Sequence, residues 1–209
     1  MNPATASVIA SAVRLLAGAT VRWRGCRPEA HQRVYFGNHS SHLDAVLVWA
    51  ALPSEIRRHA RPVAARDYWE SHRLTRRLII RWSRAVLVER DNPDAKTRER
   101  QIQAMLEAMG DEESLIMFPE GTRGAGTEIG PFKTGLYHLA QHRPGLELVP
   151  VHLHNVHRLL PKGALLPVFM ACGVTFGPPL VVGPHEDRAT FLERARDAVR
   201  RLAPSTAAA

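Results

Sequence analysis

The sequence comprises 209 residues, with 28 Lys and Arg against 20 Asp and Glu, which gives a formal net charge of +8 at pH 7. This length supports one domain with a sizeable core, and the charge favours anionic partners such as phosphorylated substrates, anionic lipid, acidic proteins or nucleic acid. The two cysteines, Cys26 and Cys172, exclude a disulfide framework and a cysteine-based zinc motif. No segment reaches the ~20 strongly apolar residues that predict a transmembrane helix.

The first predicted element is a helix within residues 6–21, which is rich in Ala and Gly. Its apolar face carries Ile9, Val13, Leu16 and Thr20, with Val8, Ala12, Leu15 and Ala19 beside them. Two interpretations stay open, a helix lying on a membrane surface and a helix packed on the protein itself. We therefore divide the chain into an N-terminal amphipathic helix at 1–20, a main domain at 21–203 and a frayed tail at 204–209.

Short apolar runs alternate with helix-like segments through the rest of the chain. The predicted strands are 21–24, 34–36, 62–65, 85–88, 115–118, 148–153 and 172–176. The clearest helix covers 93–109, with Asn92 as its cap and Gly110 as its stop, and another covers 189–202. This alternation predicts an α/β fold with a largely parallel β-sheet flanked by helices, in which active sites gather at the carboxyl ends of the strands.

A polar turn at residues 38–44, Asn-His-Ser-Ser-His-Leu-Asp, follows the second predicted strand. If a helix begins at Asp44, the turn brings its carboxylate against the imidazole of His39 and leaves the other ring nitrogen as a general base. Two alternatives stay open. The serines and the aspartate are ordinary helix-cap residues. His39, His42 and Asp44 are also metal-binding types, although their spacing departs from the signature of binuclear zinc hydrolases.

A second polar turn, Phe-Pro-Glu-Gly-Thr-Arg at residues 118–123, follows the fifth predicted strand. Gly121 permits close approach of the backbone to a ligand, Thr122 offers a hydroxyl, and Arg123 offers a guanidinium suited to phosphate. Glu120 could orient that arginine or contact a substrate hydroxyl. Taken alone, the segment could also be a solvated turn. It lacks the Gly-Lys-Ser/Thr ending of a nucleotide P-loop, so ATP binding is not expected.

The two turns together resemble the glycerolipid acyltransferase family, which includes 1-acylglycerol-3-phosphate acyltransferases. The four ordered blocks of that family are matched by Asn38, His39 and Asp44, by residues 86–90 ending in Arg90, by residues 118–123, and by residues 148–151. Residues 131–135 resemble a further Phe-Lys-x-Gly segment. The resemblance runs from about Val21 to Leu202 and implies the single-domain fold of that family.

The resemblance implies a mechanism for an O-acyltransferase of phospholipid biosynthesis. His39 would remove the proton from the free hydroxyl of a lysophospholipid acceptor, with Asp44 holding the imidazole. The oxygen would attack the thioester of acyl-CoA or acyl-carrier protein, and neither a metal nor a cofactor is used. The residues that would bind the acceptor are Arg90, Glu120, Gly121, Thr122 and Arg123.

The acceptor implied first is 1-acylglycerol-3-phosphate, which would give phosphatidate. Many members carry a lysine in a Val-Ala-Lys segment between the first two blocks, and Ala65 stands at that position here. This departure leaves another lysolipid acceptor open. From other functional classes, a metal-dependent hydrolase and a non-catalytic basic lipid-binding module stay open.

Nine arginines lie between residues 57 and 84, with Tyr68, Trp69 and Trp82 among them. This composition suits a surface that meets anionic lipid headgroups, although a carrier-protein surface or a solvated helical face has the same pattern. We expect a peripheral location at the cytoplasmic face of the cell membrane. No recognised nucleic-acid module accompanies the basic residues, so nucleic acid is not an expected partner.

Overall fold

The computed structural model describes residues 2–65, 84–89, 94–124, 128–156 and 171–204. The first half contains α1 (Pro3–Leu16), β1 (Thr20–Trp23), β2 (Arg33–Gly37), α2 (Asp44–Ala51), α3 (Ser54–Arg57), β3 (Ala60–Ala65) and β4 (Val86–Val88). The second half contains α4 (Ala95–Met109), β5 (Ser114–Met117), α5 (Gly135–His142), β6 (Glu147–His154), β7 (Gly173–Phe176) and α6 (Arg188–Arg201).

The strands form one seven-stranded sheet in the order β1-β7-β6-β2-β5-β3-β4. The neighbours β6, β2, β5, β3 and β4 are all parallel, whereas β7 runs antiparallel to β6 and β1 pairs with β7 in parallel. The predicted α/β fold with a largely parallel sheet is confirmed. Because β2 and β5 are adjacent and parallel, the two polar turns that follow them lie side by side at the carboxyl edge.

Alternating side chains divide the sheet between two apolar cores. Tyr35 of β2 and Ile116 of β5 pack with α2 on one face, whereas Phe36 and Met117, each one position further on, pack with α4, α5 and α6 on the other. β2 and β5 are buried along their whole length. Near-continuous apolar strands of this kind are expected when helices cover both faces of a parallel sheet.

The helix predicted at 93–109 is present, but its start differs from the prediction. Asp94, not Asn92, is the N-cap, because its carboxylate accepts the backbone N–H of Thr97 at 2.7 Å. The helix ends at Gly110 as predicted, with φ of 45°. The short helices α3 and α5 were not predicted, since eight residues or fewer show little periodicity.

Helix α1 has one packed side and one exposed apolar side. Ala10 is fully buried, and the Arg57 guanidinium donates to Ser7 Oγ at 3.1 Å, which ties the helix to the segment after α2. Val8, Leu15 and Leu16 remain 69%, 73% and 53% exposed. Among the described residues, no helix has the combined length and hydropathy needed to cross a bilayer. Packing on the protein therefore leaves an apolar strip available.

Candidate active site

The turn after β2 is aligned by its first residue, Asn38. Its side-chain amide donates to the carbonyl of Leu153 at 3.0 Å, and its oxygen accepts the Leu153 N–H at 2.8 Å, so the side chain extends the β2–β6 pairing by one step. Just before it, a Cβ on Gly37 would lie 2.6 Å from the Val151 carbonyl oxygen, which only glycine avoids. These contacts fix the position of the backbone from which the His39 side chain extends.

The structure brings His39 and Asp44 together. Asp44 is the first residue of α2 and is fully buried, and its Oδ2 lies 2.9 Å from His39 Nδ1. The same oxygen accepts the backbone N–H groups of Ser40 at 2.6 Å and Ser41 at 2.8 Å. Because a carboxylate oxygen accepts these bonds, Nδ1 carries the proton and Nε2 is left with its lone pair. Asp44 thus caps the helix start and orients the imidazole at the same time.

The His39 ring is also held from one face. It stacks on Phe118, with ring centroids 4.6 Å apart and planes 15° from parallel. The side chain is still 19% exposed and lines a cavity, so the ring is oriented without being sealed away. An imidazole with a bonded Nδ1 and an accessible Nε2 is the arrangement that general-base catalysis requires.

Glu120 links the two polar turns through their backbones. Its Oε1 accepts the His39 N–H at 2.7 Å, and its Oε2 accepts the Gly130 N–H at 2.9 Å. The residue is only 8% exposed. Its described contacts are thus with the backbone that carries His39, and its predicted substrate contact remains a prediction.

Gly121 has a reason to be glycine that the sequence did not reveal. Its φ is +71°, and a Cβ there would lie 2.6 Å from Cε and 2.8 Å from Nζ of Lys133. The Lys133 side chain therefore crosses the turn directly over Gly121, while its backbone N–H donates to the Pro119 carbonyl at 2.7 Å. Sequence reasoning gave Lys133 no role, although the Phe-Lys-x-Gly segment around it was the available signal.

The remaining predicted binding residues have different outcomes. Arg123 contacts His42 through Nη1 and Nε2 and lines the same cavity as His39. Thr122 is exposed and is absent from the described cavity wall. Arg90 lies outside the described residues, as does most of the arginine-rich stretch after residue 65. Their predicted roles stay predictions.

A cavity of about 590 Å³ begins at these side chains and extends between the sheet and α4 and α5. One end is lined by polar groups, including His39, His42, Arg123 and Lys133. The walls beyond are mainly apolar and include Val63, Ala65, Val88, Ile102, Met105, Met117 and Leu136. Glu89, Arg98 and Gln101 also line it. The cavity thus joins a basic, histidine-bearing end to apolar walls of the kind that suit a hydrocarbon chain.

The residues considered as metal ligands are engaged with other groups. Three N–H groups point at Asp44 Oδ2, and His42 Nε2 contacts Arg123. In the described ranges, no three His, Cys, Asp or Glu side chains are grouped as a metal would need. The buried Cys172 lies near this aspartate, and burial together with the Asp44 charge raises the pKa of its thiol.

Comparisons with known proteins identify acyltransferases among the relatives of this chain. A 1-acyl-sn-glycerol-3-phosphate acyltransferase from Limnanthes alba is 29% identical over 183 residues, covering 83% of this chain and 59% of the relative. One from Haemophilus influenzae is 27% identical over 126 residues, covering 59% and 48%. The chain thus spans about 59% of the length of the two Limnanthes relatives it matches.

The fold has a solved counterpart. The crystal structure of the 1-acyl-sn-glycerophosphate (LPA) acyltransferase from Thermotoga maritima superposes with a TM-score of 0.71 at 17% identity, covering 95% of this chain and 77% of that one. The Acyltransferase family profile matches residues 20–154, which is more than half of the chain and includes both polar turns. The chain therefore belongs to the acyltransferase family.

Proposed function

We propose that the protein transfers a fatty acyl group from a thioester donor to the free hydroxyl of a lysophospholipid. The observation that carries the proposal is the Asp44–His39 pair, 2.9 Å apart, at the polar end of a cavity with apolar walls. The acceptor proposed first is 1-acylglycerol-3-phosphate, which would give phosphatidate. The names of the relatives and the basic side chains beside His39 support that choice.

The reaction follows from the positions of the ring nitrogens. His39 Nε2 takes the hydroxyl proton as the acceptor oxygen bonds to the thioester carbonyl carbon. The carbon–sulfur bond then breaks, and the imidazolium returns the proton to the thiolate that leaves. The buried Asp44 carboxylate stabilises the imidazolium formed between these two steps. The acyl chain occupies the apolar part of the cavity, and acyl-CoA and acyl-carrier protein both supply the required thioester.

A panel of lysolipids assayed with acyl-CoA and with acyl-carrier protein, read by mass spectrometry, tests the function. We expect phosphatidate from 1-acylglycerol-3-phosphate, and a loss of on the order of 10²–10⁴-fold in kcat for His39→Ala, the range that base catalysis contributes. His138→Ala, on α5 outside the cavity wall, is the matched control and keeps its activity. If His39→Ala forms product at the wild-type rate, the mechanism is refuted.

We further propose that the protein acts as a peripheral protein at the cytoplasmic face of the cell membrane. The exposed strip of Val8, Leu15 and Leu16 and the net charge of +8 suit an anionic bilayer surface. Flotation with anionic liposomes tests this: wild type floats and Leu15→Glu floats less, whereas Val181→Glu, an exposed valine away from α1, behaves as wild type. Failure of the wild type to float would contradict the proposal.

A further inference from the structure

Lys133 lies across the turn that follows β5, and the turn is shaped to receive it. The absence of a side chain at Gly121 leaves the space that Cδ, Cε and Nζ of the lysine occupy. The bond from the Lys133 N–H to the Pro119 carbonyl, 2.7 Å, anchors its backbone to the same turn. The ammonium group is therefore held beside the turn that also supplies Glu120 and Arg123.

Within the described part of the chain, the charge of Lys133 is not neutralised. Among the described residues, no carboxylate or other acceptor forms an ion pair or hydrogen bond with its side chain. The carboxylates of the two polar turns accept N–H groups instead: Glu120 accepts the His39 and Gly130 amides, and Asp44 Oδ2 accepts His39 Nδ1–H and the Ser40 and Ser41 amides. An exposed ammonium at the mouth of a cavity, with its neighbouring acids engaged elsewhere, is suited to an external anion.

We propose that Lys133 Nζ binds the phosphate of the acceptor, so that the hydroxyl to be acylated faces His39. The assignment rests on the proposed function and adds to it a binding residue. In a glycerol phosphate the reacting hydroxyl and the phosphorus are only four bonds apart, or roughly 5 Å. A cation for that phosphate must therefore lie close to the base. Lys133 and His39 line the same cavity, and Lys133 lies over Gly121, whose neighbour Glu120 accepts the His39 N–H.

The phosphates of coenzyme A are the other source of the same chemistry, and the geometry favours the acceptor. The phosphates of coenzyme A are separated from the thioester by the long pantetheine arm. The turn at residues 118–123, which Lys133 crosses, is instead hydrogen-bonded to the His39 backbone through Glu120, and the next residue, Gly124, donates its N–H to the His39 carbonyl at 2.9 Å. A charge fixed this close to the base suits the ligand whose phosphate and reacting atom are near one another.

Direct binding tests the assignment without requiring turnover. Wild type, Lys133→Met, Lys133→Arg and Lys96→Met are each titrated with glycerol 3-phosphate and, separately, with coenzyme A, followed by NMR. Lys96 is the matched control, because it is an exposed lysine on α4 outside the cavity wall and its substitution removes the same charge. We expect Lys133→Met to weaken glycerol 3-phosphate binding about 10-fold, Lys133→Arg to retain most of it, and Lys96→Met to bind as wild type.

The outcomes separate this assignment from the function it rests on. Weaker binding of glycerol 3-phosphate with unchanged coenzyme A binding, together with a raised KM for the lysophospholipid at nearly constant kcat, supports the assignment. Unchanged glycerol 3-phosphate binding by Lys133→Met overturns it, and so does an equal or larger loss of coenzyme A binding. If the wild type acylates no lysolipid, the proposed function fails, while the titration still decides whether Lys133 binds phosphate.

Discussion

The two edges of the parallel strands use their charges in opposite ways. At the amino edge, cations are paired with carboxylates. The guanidinium of Arg33, nearly completely buried at the start of β2, donates to Glu147 at 2.7 Å, and Arg84 donates to Glu113 at 2.9 Å. His31 also lies 2.8 Å from Glu147. These pairs cancel charge and join the beginnings of neighbouring strands.

At the carboxyl edge the carboxylates of the two polar turns mainly accept backbone N–H groups instead, and Asp44 Oδ1 is buried without a hydrogen-bond partner among the described residues. Asp44 Oδ2 accepts the Ser40 and Ser41 amides, and Glu120 accepts the His39 and Gly130 amides. Among the described residues Lys133 has no ion-pair partner, and it lines the cavity together with Arg123. We infer that the paired charges at the amino edge stabilise the fold, whereas Lys133 at the carboxyl edge is available to a ligand.

The largest effect is expected when the charge of the carboxyl-edge acid is removed. Asp44→Asn retains an oxygen for the backbone amides but no longer stabilises an imidazolium, so we expect kcat to fall by on the order of 10²-fold. Asp187→Asn is the matched control, because Asp187 also accepts backbone amides at a helix start, those of Ala189 and Thr190, without touching a histidine. Equal kinetics for the two variants would mean that Asp44 only caps its helix.

An intermediate effect is expected at the turn under Lys133. Gly121→Ala places a methyl group in the path of the lysine, so we expect the KM for the lysophospholipid to rise about 10-fold. Gly145→Ala is the matched control, since φ there is +82° and nothing lies within 4 Å of an added Cβ. Both variants lose about 1 kcal/mol of stability from the left-handed backbone. Only Gly121→Ala should raise the KM. A similar KM in the two variants would show that the space over Gly121 does not matter for acceptor binding by Lys133.

The smallest effect on catalysis is expected at the amino edge. Glu147→Gln removes the nearer carboxylate of the buried Arg33 and leaves it only the longer ion pair with Glu29 at 3.6 Å, so we expect the free energy of unfolding to fall by about 1–3 kcal/mol, with kcat/KM unchanged. Chemical denaturation and steady-state kinetics measure the two quantities. If Glu147→Gln lost activity but not stability, the amino edge would contribute to catalysis and the contrast between the two edges would be wrong.

The same pair predicts a pH dependence of stability. Burial alone would raise the pKa of Glu147, but hydrogen bonds from His31 and Arg33 outweigh burial and hold the pKa below its ordinary value of 4.5. A lowered folded-state pKa means that the stabilisation is present above pH 4.5 and is lost as pH falls through the folded value. Unfolding curves of wild type and Glu147→Gln should therefore converge at acid pH; a constant difference would contradict the pKa shift.

Much of the fold could be predicted from local patterns. The seven predicted strands all occur, because short apolar runs between polar turns favour buried strands in an α/β chain. The helix at 95–109 was recognisable by its stripe of Ile102, Met105 and Met109, which are buried. Its N-cap was misplaced by two residues, since Asn92 and Asp94 are both good caps and only backbone geometry chooses between them.

The candidate site was predictable only where its residues are close in sequence. His39 and Asp44 are five positions apart, so a strand end followed by a helix start was enough to place them together. The contact of Glu120 with the His39 amide joins residues 81 positions apart, and no local pattern reports it. The antiparallel direction of β7 was equally invisible, because the residue pattern within a strand does not report its direction relative to its neighbour.

The sequence by itself determined the alternation of strands and helices, the two polar turns and the pairing of an imidazole with a carboxylate within one turn. These features follow from periodicity and short spacing, which act over a few residues. The tertiary structure decided which strands are neighbours, and hence that Glu120 accepts the His39 amide, that Lys133 lies over Gly121, and that His39 and Lys133 line one cavity. Those contacts depend on strand order and side-chain packing across the sheet, which become definite only when the chain is folded.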